Sequence, residues 1–262
     1  MSENIIYCYS GSGNCLSMAK NIAKELGDTD IVMMRRKPVI NDATAYKRVG
    51  FVFPCYGGGL PGDTEDYIRR LHLSLSSYKF AVVQYAGYKG CGLSKIDELV
   101  IGGLDYWNGI SQHCSAIWLM PHNLTIPPVS VERSQQRSDN MAKRIAEDVK
   151  NLKRSPKQPP KGYIFRMESK GLKNINKLVN AKLNVNDSCI GCGKCASLCA
   201  RRNISIVNGK AVIGKNCFGC MTCVEYCPTR AINVGKITVK RERYHNETVK
   251  AEELNEAVIH IN

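Results

Sequence analysis

One run of cysteines occurs twice in the chain, and it constrains the fold more than any other feature of the sequence. Residues 189–199 and 217–227 both have the form Cys-x-x-Cys-x-x-Cys-x-x-x-Cys, at an offset of 28 residues. The similarity continues past the last cysteine, since Asn203-Ile204 falls on Ala231-Ile232 at the same offset. The two runs are therefore an internal duplication, and they indicate a metal centre in the C-terminal third.

The remaining composition restricts where such a protein works. The chain has 13 cysteines in 262 residues, and the odd number argues against a fully paired disulfide framework. Residues 1–9 lack the basic start and apolar run of a signal peptide, and no stretch approaches the roughly 18 apolar residues of a membrane helix. We therefore expect a cytoplasmic protein with no membrane segment.

The formal net charge of +14 is unevenly distributed. Residues 1–155 have 19 Lys and Arg against 15 Asp and Glu, whereas residues 156–262 have 18 against 8. A basic surface suits either nucleic acid or an acidic protein. Because no nucleic-acid-binding motif is present, we predict an acidic redox partner protein and no nucleic acid. The oligomeric state stays open.

The duplicated run resembles that of the two-cluster bacterial-type ferredoxins, over about residues 185–240. In that family the fourth cysteine of each run ligates the other [4Fe-4S] cluster, and the module is a one-electron carrier at low potential. The resemblance implies Cys189, Cys192, Cys195 and Cys227 as ligands of cluster 1, and Cys217, Cys220, Cys223 and Cys199 as ligands of cluster 2. Structural zinc on four-cysteine sites is the alternative, but it gives no reason for a third cysteine at the same spacing.

The first 155 residues alternate short apolar runs with amphipathic stretches, which is typical of strand-helix units around a parallel sheet. The pattern predicts strands at residues 4–9, 29–34, 48–54, 79–85 and 111–120, and helices at residues 14–26, 63–73, 94–101 and 131–154. Cys8 and Cys114 fall within predicted strands and are interpreted as core residues.

Prolines at 156, 159 and 160 end the last helix and mark the domain boundary. We divide the chain into a first domain at 1–155, a basic and partly helical connector at 156–185, a second domain at 186–240 and a C-terminal tail at 241–262. The connector is interpreted as a surface helix packed on the first domain rather than as a membrane-surface helix.

Small and hydroxyl-bearing residues follow the first predicted strand, where a helix begins. Main-chain N–H groups and hydroxyls in such a turn surround an anion at the helix N-terminus, although an N-capped tight turn has the same composition. The residues are Ser10, Gly11, Ser12, Gly13, Asn14 and Cys15.

Two further loops lie at the carboxyl ends of predicted strands, the edge where open parallel sheets bind ligands. They contain Pro54, Cys55, Tyr56, Gly57, Gly58 and Gly59 in one loop, and Ala86, Gly87, Tyr88 and Cys91 in the other. His122 and Asn123 close the last predicted strand at the same edge.

The three loops together resemble those of flavodoxins, whose phosphate loop has the form Ser/Thr-x-Thr-Gly-Asn-Thr. The resemblance implies a doubly wound five-stranded parallel sheet of order 2-1-3-4-5, with FMN phosphate on residues 10–15 and the flavin ring between the other two loops. Tyr56 and Tyr88 are the candidates for ring stacking. Cys15 departs from the pattern, because a hydroxyl residue is usual there.

In combination these features are similar to the flavodoxin-ferredoxin fusion proteins of anaerobic microbes. The resemblance implies an α/β flavodoxin-like domain followed by a small α+β ferredoxin domain, and electron transfer between two [4Fe-4S] clusters and FMN. Two alternatives stay open. One is an FMN-dependent reductase that reduces a small substrate near Tyr56, Tyr88 and His122, and the other is a redox sensor or assembly factor that uses the clusters structurally.

Overall fold

The computed structural model describes residues 2–35, 39–113, 129–159, 161, 179–180 and 182–262. Its first domain contains five parallel strands in the order β2-β1-β3-β4-β5. This confirms the predicted α/β doubly wound sheet and its strand order. The strands are β1 (Asn4–Cys8), β2 (Thr29–Met33), β3 (Arg48–Pro54), β4 (Tyr78–Tyr85) and β5 (Tyr106–Ser111).

The prediction for the fifth strand was wrong. β5 ends at Ser111, where the prediction begins, and it pairs Tyr106 with Phe80 and Ile110 with Gln84. Asn108-Gly109 in its middle has the composition of a turn, which hid the strand. Residues 114–120 of the predicted strand, with Cys114, lie outside the described residues.

Helices cover both faces of this sheet. They are α1 (Asn14–Leu26), α2 (Thr64–Ile68), α3 (Gly92–Leu99) and α4 (Val131–Lys150). α1 and α4 pack on one face with Ile6, Val52 and Val82, whereas α2 and α3 pack on the other with Tyr7, Phe51 and Val83. Successive residues of each strand therefore face opposite sides of the sheet, and both sides are buried.

Two helices are shorter than predicted. α2 ends at Ile68 rather than at residue 73, because the main-chain N–H of His72 donates to Asn41 O and draws the chain out of the helix. α4 ends at Lys150, and Leu152 just beyond it has a positive φ of 51°. None of the helices in the described ranges is long and apolar enough to cross a membrane.

The second domain consists of two small antiparallel pairs and two short helices. β6 (Leu183–Val185) pairs with β9 (Ile232–Val234), and β7 (Ile204–Val207) pairs with β8 (Lys210–Ile213). The helices α5 (Lys194–Leu198) and α6 (Thr222–Glu225) each follow the second cysteine of a run. Most of the predicted connector, including residues 162–178, lies outside the described residues.

Residues 241–262, predicted as a tail, contact both domains, and their last part completes the sheet of the first. They form a 3₁₀ turn (Ala251–Asn255) and a tenth strand, β10 (Val258–Ile261), which pairs antiparallel with β2 at the free edge of the sheet. Val249 and Leu254 are buried against α1. A four-residue strand is too short for its alternation to be recognised in a sequence.

Candidate functional site

Eight cysteines of the second domain surround two small cavities, four at each. One cavity is lined by Cys189, Cys192, Cys195 and Cys227, and the other by Cys199, Cys217, Cys220 and Cys223. The fourth cysteine of each run therefore lies with the first three of the other run. This is the grouping that the resemblance to ferredoxins implies for the two ligand sets.

Main-chain N–H groups point at several of these sulfurs. Asn203 N lies 3.3 Å from Cys199 Sγ, and Ala231 N lies 3.2 Å from Cys227 Sγ. These two contacts are equivalent under the 28-residue duplication. Gly219 N also lies 3.3 Å from the Sγ atom of the first cysteine in the second run. Such donors stabilise a thiolate and tune whatever it ligates.

Burial opposes ionisation at four of the eight cavity thiols. It raises the pKa of Cys217 to about 11, and it also raises the pKa values of Cys195 and Cys223. At Cys227, burial acts in the same direction but is outweighed by N–H donors at Ile232 and its neighbours, which lower the pKa. A metal that binds these thiols therefore has to displace protons.

The cavities do not have the form of a site for one ion. Within the described ranges, no three side chains of His, Cys, Asp or Glu converge tightly enough to hold a single metal ion. Each cavity instead is lined by four thiols, and a [4Fe-4S] cluster takes one thiolate for each of its four irons. The donor set therefore fits a four-iron cluster.

The loop predicted to bind phosphate forms a tight turn between β1 and α1. Gly13 has a φ of 97°, its N–H donates to Ser10 Oγ over 3.1 Å, and α1 begins at Asn14. The main-chain donors of the first helical turn and two serine hydroxyls form a donor set that fits an oxyanion. Cys15 is 1% exposed and supplies a thiol in place of the usual hydroxyl.

The second domain lies directly against this loop. We call the two loops predicted to flank the flavin ring, at residues 54–59 and 86–91, the first and second ring loops. Thr222 Oγ1 donates to Gly11 O over 2.9 Å, and Tyr56 Oη of the first ring loop donates to Cys220 O over 3.4 Å. A side chain at position 11 would meet both Tyr56 Oη and Cys220 O, so only glycine allows this approach. One cysteine of the second cavity is therefore in contact with the phosphate loop and with the first ring loop.

Residues of the C-terminal segment cover the rest of the loop. Asn246 N donates to Ser12 O over 2.8 Å, and Tyr244 Oη donates to Asn14 Oδ1 over 2.8 Å. A Cβ atom on Gly13 would lie 3.0 Å from Asn246 Cβ. We call Thr222, Tyr244 and Asn246 the loop cover. The sequence did not predict it, because each contact joins residues more than 200 positions apart.

The two ring loops lie together at the same edge of the sheet. Cys91 N donates to Gly58 O over 2.7 Å, and a Cβ atom on Gly90 would lie 2.1 Å from Gly58 O. Tyr56 packs edge-on against Tyr9, with ring centroids 6.1 Å apart, while Tyr88 is 40% exposed. His122 and Asn123, predicted at this edge, lie outside the described residues.

Arg35 joins the two domains, and the sequence analysis missed it. It is 4% exposed, and its guanidinium donates to Leu198 O over 2.7 Å and to Thr222 Oγ1 over 3.3 Å. Arg35 follows β2, so its position at the carboxyl edge of a parallel sheet is the signal that could have identified it.

Comparison with known families identifies one part of the chain. Residues 212–233 match the 4Fe-4S binding domain family, a range that contains the second cysteine run. The first run reproduces the same spacing 28 residues earlier, outside the matched range. No curated protein matches the chain.

Three solved structures with similarity to the chain each cover a little more than half of it. A rubredoxin oxygen:oxidoreductase from the anaerobe Desulfovibrio gigas matches 57% of this chain and 36% of its own (TM-score 0.36, 15% identity). A flavodoxin from the domain Archaea matches 56% and 99% (TM-score 0.37, 15% identity). An azoreductase from Bacillus anthracis str. Sterne matches 56% and 100% (TM-score 0.39, 9% identity). At these scores the similarities carry no argument.

The family match and the sheet order support the same description of the molecule. The chain combines a flavodoxin-like α/β domain, with strand order 2-1-3-4-5, and a domain whose second cysteine run matches the 4Fe-4S binding family.

Proposed function

We propose that the protein is an electron-transfer protein with two [4Fe-4S] clusters in its second domain and FMN on its first. The observation that carries the proposal is the crossed grouping of eight cysteines into two cavities of four. Cluster 1 would be held by Cys189, Cys192, Cys195 and Cys227, and cluster 2 by Cys199, Cys217, Cys220 and Cys223.

The residues around the cavities are suited to this task. A [4Fe-4S] cluster supplies reversible one-electron chemistry when bound. The N–H groups of Asn203, Gly219 and Ala231 face cysteine sulfurs and favour their charged state. Gly191 has a φ of 64° and passes close to Gly209 O, so the run folds tightly where any larger residue would collide.

FMN would be held by the three loops of the first domain. Ser10, Ser12 and the main chain at Gly13 would bind its phosphate, and the loops containing Tyr56 and Tyr88 would flank its ring. FMN supplies conversion between one-electron and two-electron steps. Cluster 2 would be its neighbour, because Cys220 and Thr222 touch these loops.

Cluster 1 is the better entry point for electrons from a partner. Its Cys192 is exposed, and Ile190 close to it is 67% exposed, whereas each of the four cysteines of cluster 2 is only partly exposed. A cytoplasmic acidic protein would dock here, attracted by the basic second half of the chain. Electrons would then pass from cluster 1 to cluster 2 and to the first domain.

The test is the iron, acid-labile sulfide and flavin content of protein purified without oxygen, together with its visible spectrum. The proposal requires about eight irons and one FMN per chain, as two four-iron clusters and one flavin supply. Iron without flavin would limit the proposal to the second domain. Zinc in place of iron would overturn it.

A further inference from the structure

A large cavity lies between the two domains. Its volume is about 770 Å³, which is within the range of small-molecule sites. The first domain contributes Tyr9, Met34, Arg35 and Tyr67 to its walls, and the second domain contributes residues 200–202, Asn216 and Phe218. Its described lining contains none of the three predicted flavin loops. We call it the interdomain cavity.

Four buried donor atoms of residues that line this cavity have no partner. They are Tyr9 Oη, Tyr67 Oη, Arg35 Nε and Arg201 Nε, each without a hydrogen bond within the part of the chain that the structure describes. Tyr9, Tyr67 and Arg35 are 1%, 5% and 4% exposed, respectively. Buried polar groups in native proteins are nearly always hydrogen-bonded, so four of them around one cavity indicate a ligand with acceptor atoms.

The charge of the cavity selects an anion. Its lining contains Asp63 and Asp66, and the former is paired with Arg201. Arg70 and Arg202, both exposed, have no side-chain partner among the described residues. The lining contains four arginines against two aspartates, because Arg35 also belongs to it, and guanidinium groups favour carboxylate and phosphate oxygens.

Aromatic side chains form the remaining wall. The rings of Tyr9 and Phe218 are 6.1 Å apart between centroids, at an interplanar angle of 53°. Met34 lines the same cavity. These surfaces suit a flat apolar molecule, and the flexible side chain of Met34 can adapt to its shape.

We propose that the interdomain cavity binds an aromatic molecule bearing an oxyanion, either a carboxylate or a phosphate. Its position next to the second cluster rests on the proposed function. Asn216 and Phe218 flank Cys217 in the chain, and Ala200 follows Cys199, so the cavity wall is attached to two ligands of that cluster. The bound molecule is thereby placed to exchange electrons with it or to alter its properties.

The experiment is isothermal titration of the holoprotein, purified without oxygen, with 2-naphthoate and with 2-naphthyl phosphate. Neutral 2-naphthamide is the matched probe without the charge. We expect one site per chain for at least one of the anions and binding of the amide weaker by roughly ten-fold or more, as loss of a charge-assisted hydrogen bond predicts. The preferred anion distinguishes a carboxylate from a phosphate ligand.

Variants separate a binding role from a structural one. Tyr67→Phe removes a hydroxyl that has no partner, so it should weaken anion binding roughly ten-fold while leaving the melting temperature unchanged or raised. Arg202→Gln should weaken binding by a similar factor. Arg69→Gln is the control, because Arg69 is exposed and pairs with Glu65 outside the cavity.

Either of two results would overturn the proposal: no saturable binding of either anion at millimolar concentration, or equal affinity in Tyr67→Phe, Arg202→Gln and the unaltered protein. Iron analysis keeps this separate from the proposed function. Anion binding with the expected variant pattern in protein that lacks iron-sulfur clusters would remove the electron-transfer proposal and leave the cavity proposal standing.

Discussion

Cys199 lies in the first cysteine run, but its side chain lines the cavity of the second. This crossing was implied by the resemblance to ferredoxins, and it can be tested one residue at a time. Cys199→Ser and Cys217→Ser should each lower the iron content from about eight to about four and remove the same electron paramagnetic resonance signal, because both cysteines line one cavity. Cys227→Ser and Cys189→Ser should both remove the other signal.

Cys55→Ser is the matched control for these variants, since Cys55 lies in a ring loop outside both cysteine cavities. Its iron content should equal that of the unaltered protein. If Cys199→Ser removed the same signal as Cys189→Ser, the crossed grouping would be disproved and each run would hold its own cluster.

Individual residues also mark the limit of what the sequence could predict. The cysteine spacing identified all eight cysteines that line the two cavities, because thiols repeated at this spacing are typical of cluster ligands. Arg35 and Tyr244 could not be found in this way. Their partners are 163 and 230 residues distant in the chain, and no local pattern records such a contact.

The elements of the molecule differ in how far their sequences determined them. α1 has the predicted bounds, since its apolar face repeats over three turns. β5 was missed because Asn108-Gly109 interrupts its pattern, and β10 was missed because it has only four residues. A strand at the edge of a sheet depends on its neighbour for its identity more than on its own residues.

The 3₁₀ turn before β10 should contribute to the stability of the first domain. Leu254 is 0% exposed and packs in the core that contains α1. Leu254→Ala should therefore lower the free energy of unfolding by about 3 kcal/mol, measured by urea denaturation. Ile237→Ala, at a site that is 42% exposed, should change it by less than about 0.5 kcal/mol. Equal effects of the two variants would mean that residues 241–262 are a tail after all.

The pairing of β10 with β2 should depend on pH. His260 lies opposite Asp30 in the strand register, and its hydrogen bonds to Asp30 and Asn262 raise its pKa. A raised pKa in the folded state means that the stabilisation is complete below the unfolded pKa of about 6.5 and is lost as pH rises through the folded value.

Thermal denaturation between about pH 6 and pH 8.5 should show this loss in the unaltered protein. In His260→Asn the melting temperature should fall less over the same pH interval, because the titrating partner of Asp30 is absent. If the melting temperature of the variant fell with pH as much as that of the unaltered protein, His260 would be excluded as the source of the pH dependence.

At the scale of the whole molecule, the two domains meet over the loop that is predicted to bind FMN phosphate. The loop cover occupies the main-chain oxygens of Gly11 and Ser12 and the side chain of Asn14. Sequence alone predicted both domains and their order, but not that one would lie against the ligand edge of the other. Such an arrangement is set by complementary surfaces, which a single sequence does not display.

FMN binding should compete with the loop cover. Tyr244→Phe removes the hydroxyl that donates to Asn14 Oδ1, and Asn246→Ala removes further contacts at the same place. The double variant should bind FMN several-fold more tightly, because a lost hydrogen bond of about 1 kcal/mol lowers the cost of displacing the cover. Quenching of flavin fluorescence measures the dissociation constant.

The control for this prediction is Ile237→Ala, which alters none of the hydrogen bonds of the loop cover and should leave the dissociation constant unchanged. Weaker FMN binding in the double variant would show that Tyr244 and Asn246 help to hold the flavin rather than cover its site.

The position of β10 has a consequence for how the protein is made. The sheet of the first domain receives its last strand only after both cysteine runs have been translated, and the two sets of four thiols are complete once Cys223 and Cys227 have been added. On the ribosome, the domain that starts first is therefore finished last, and its sheet is complete only after the second domain has been translated.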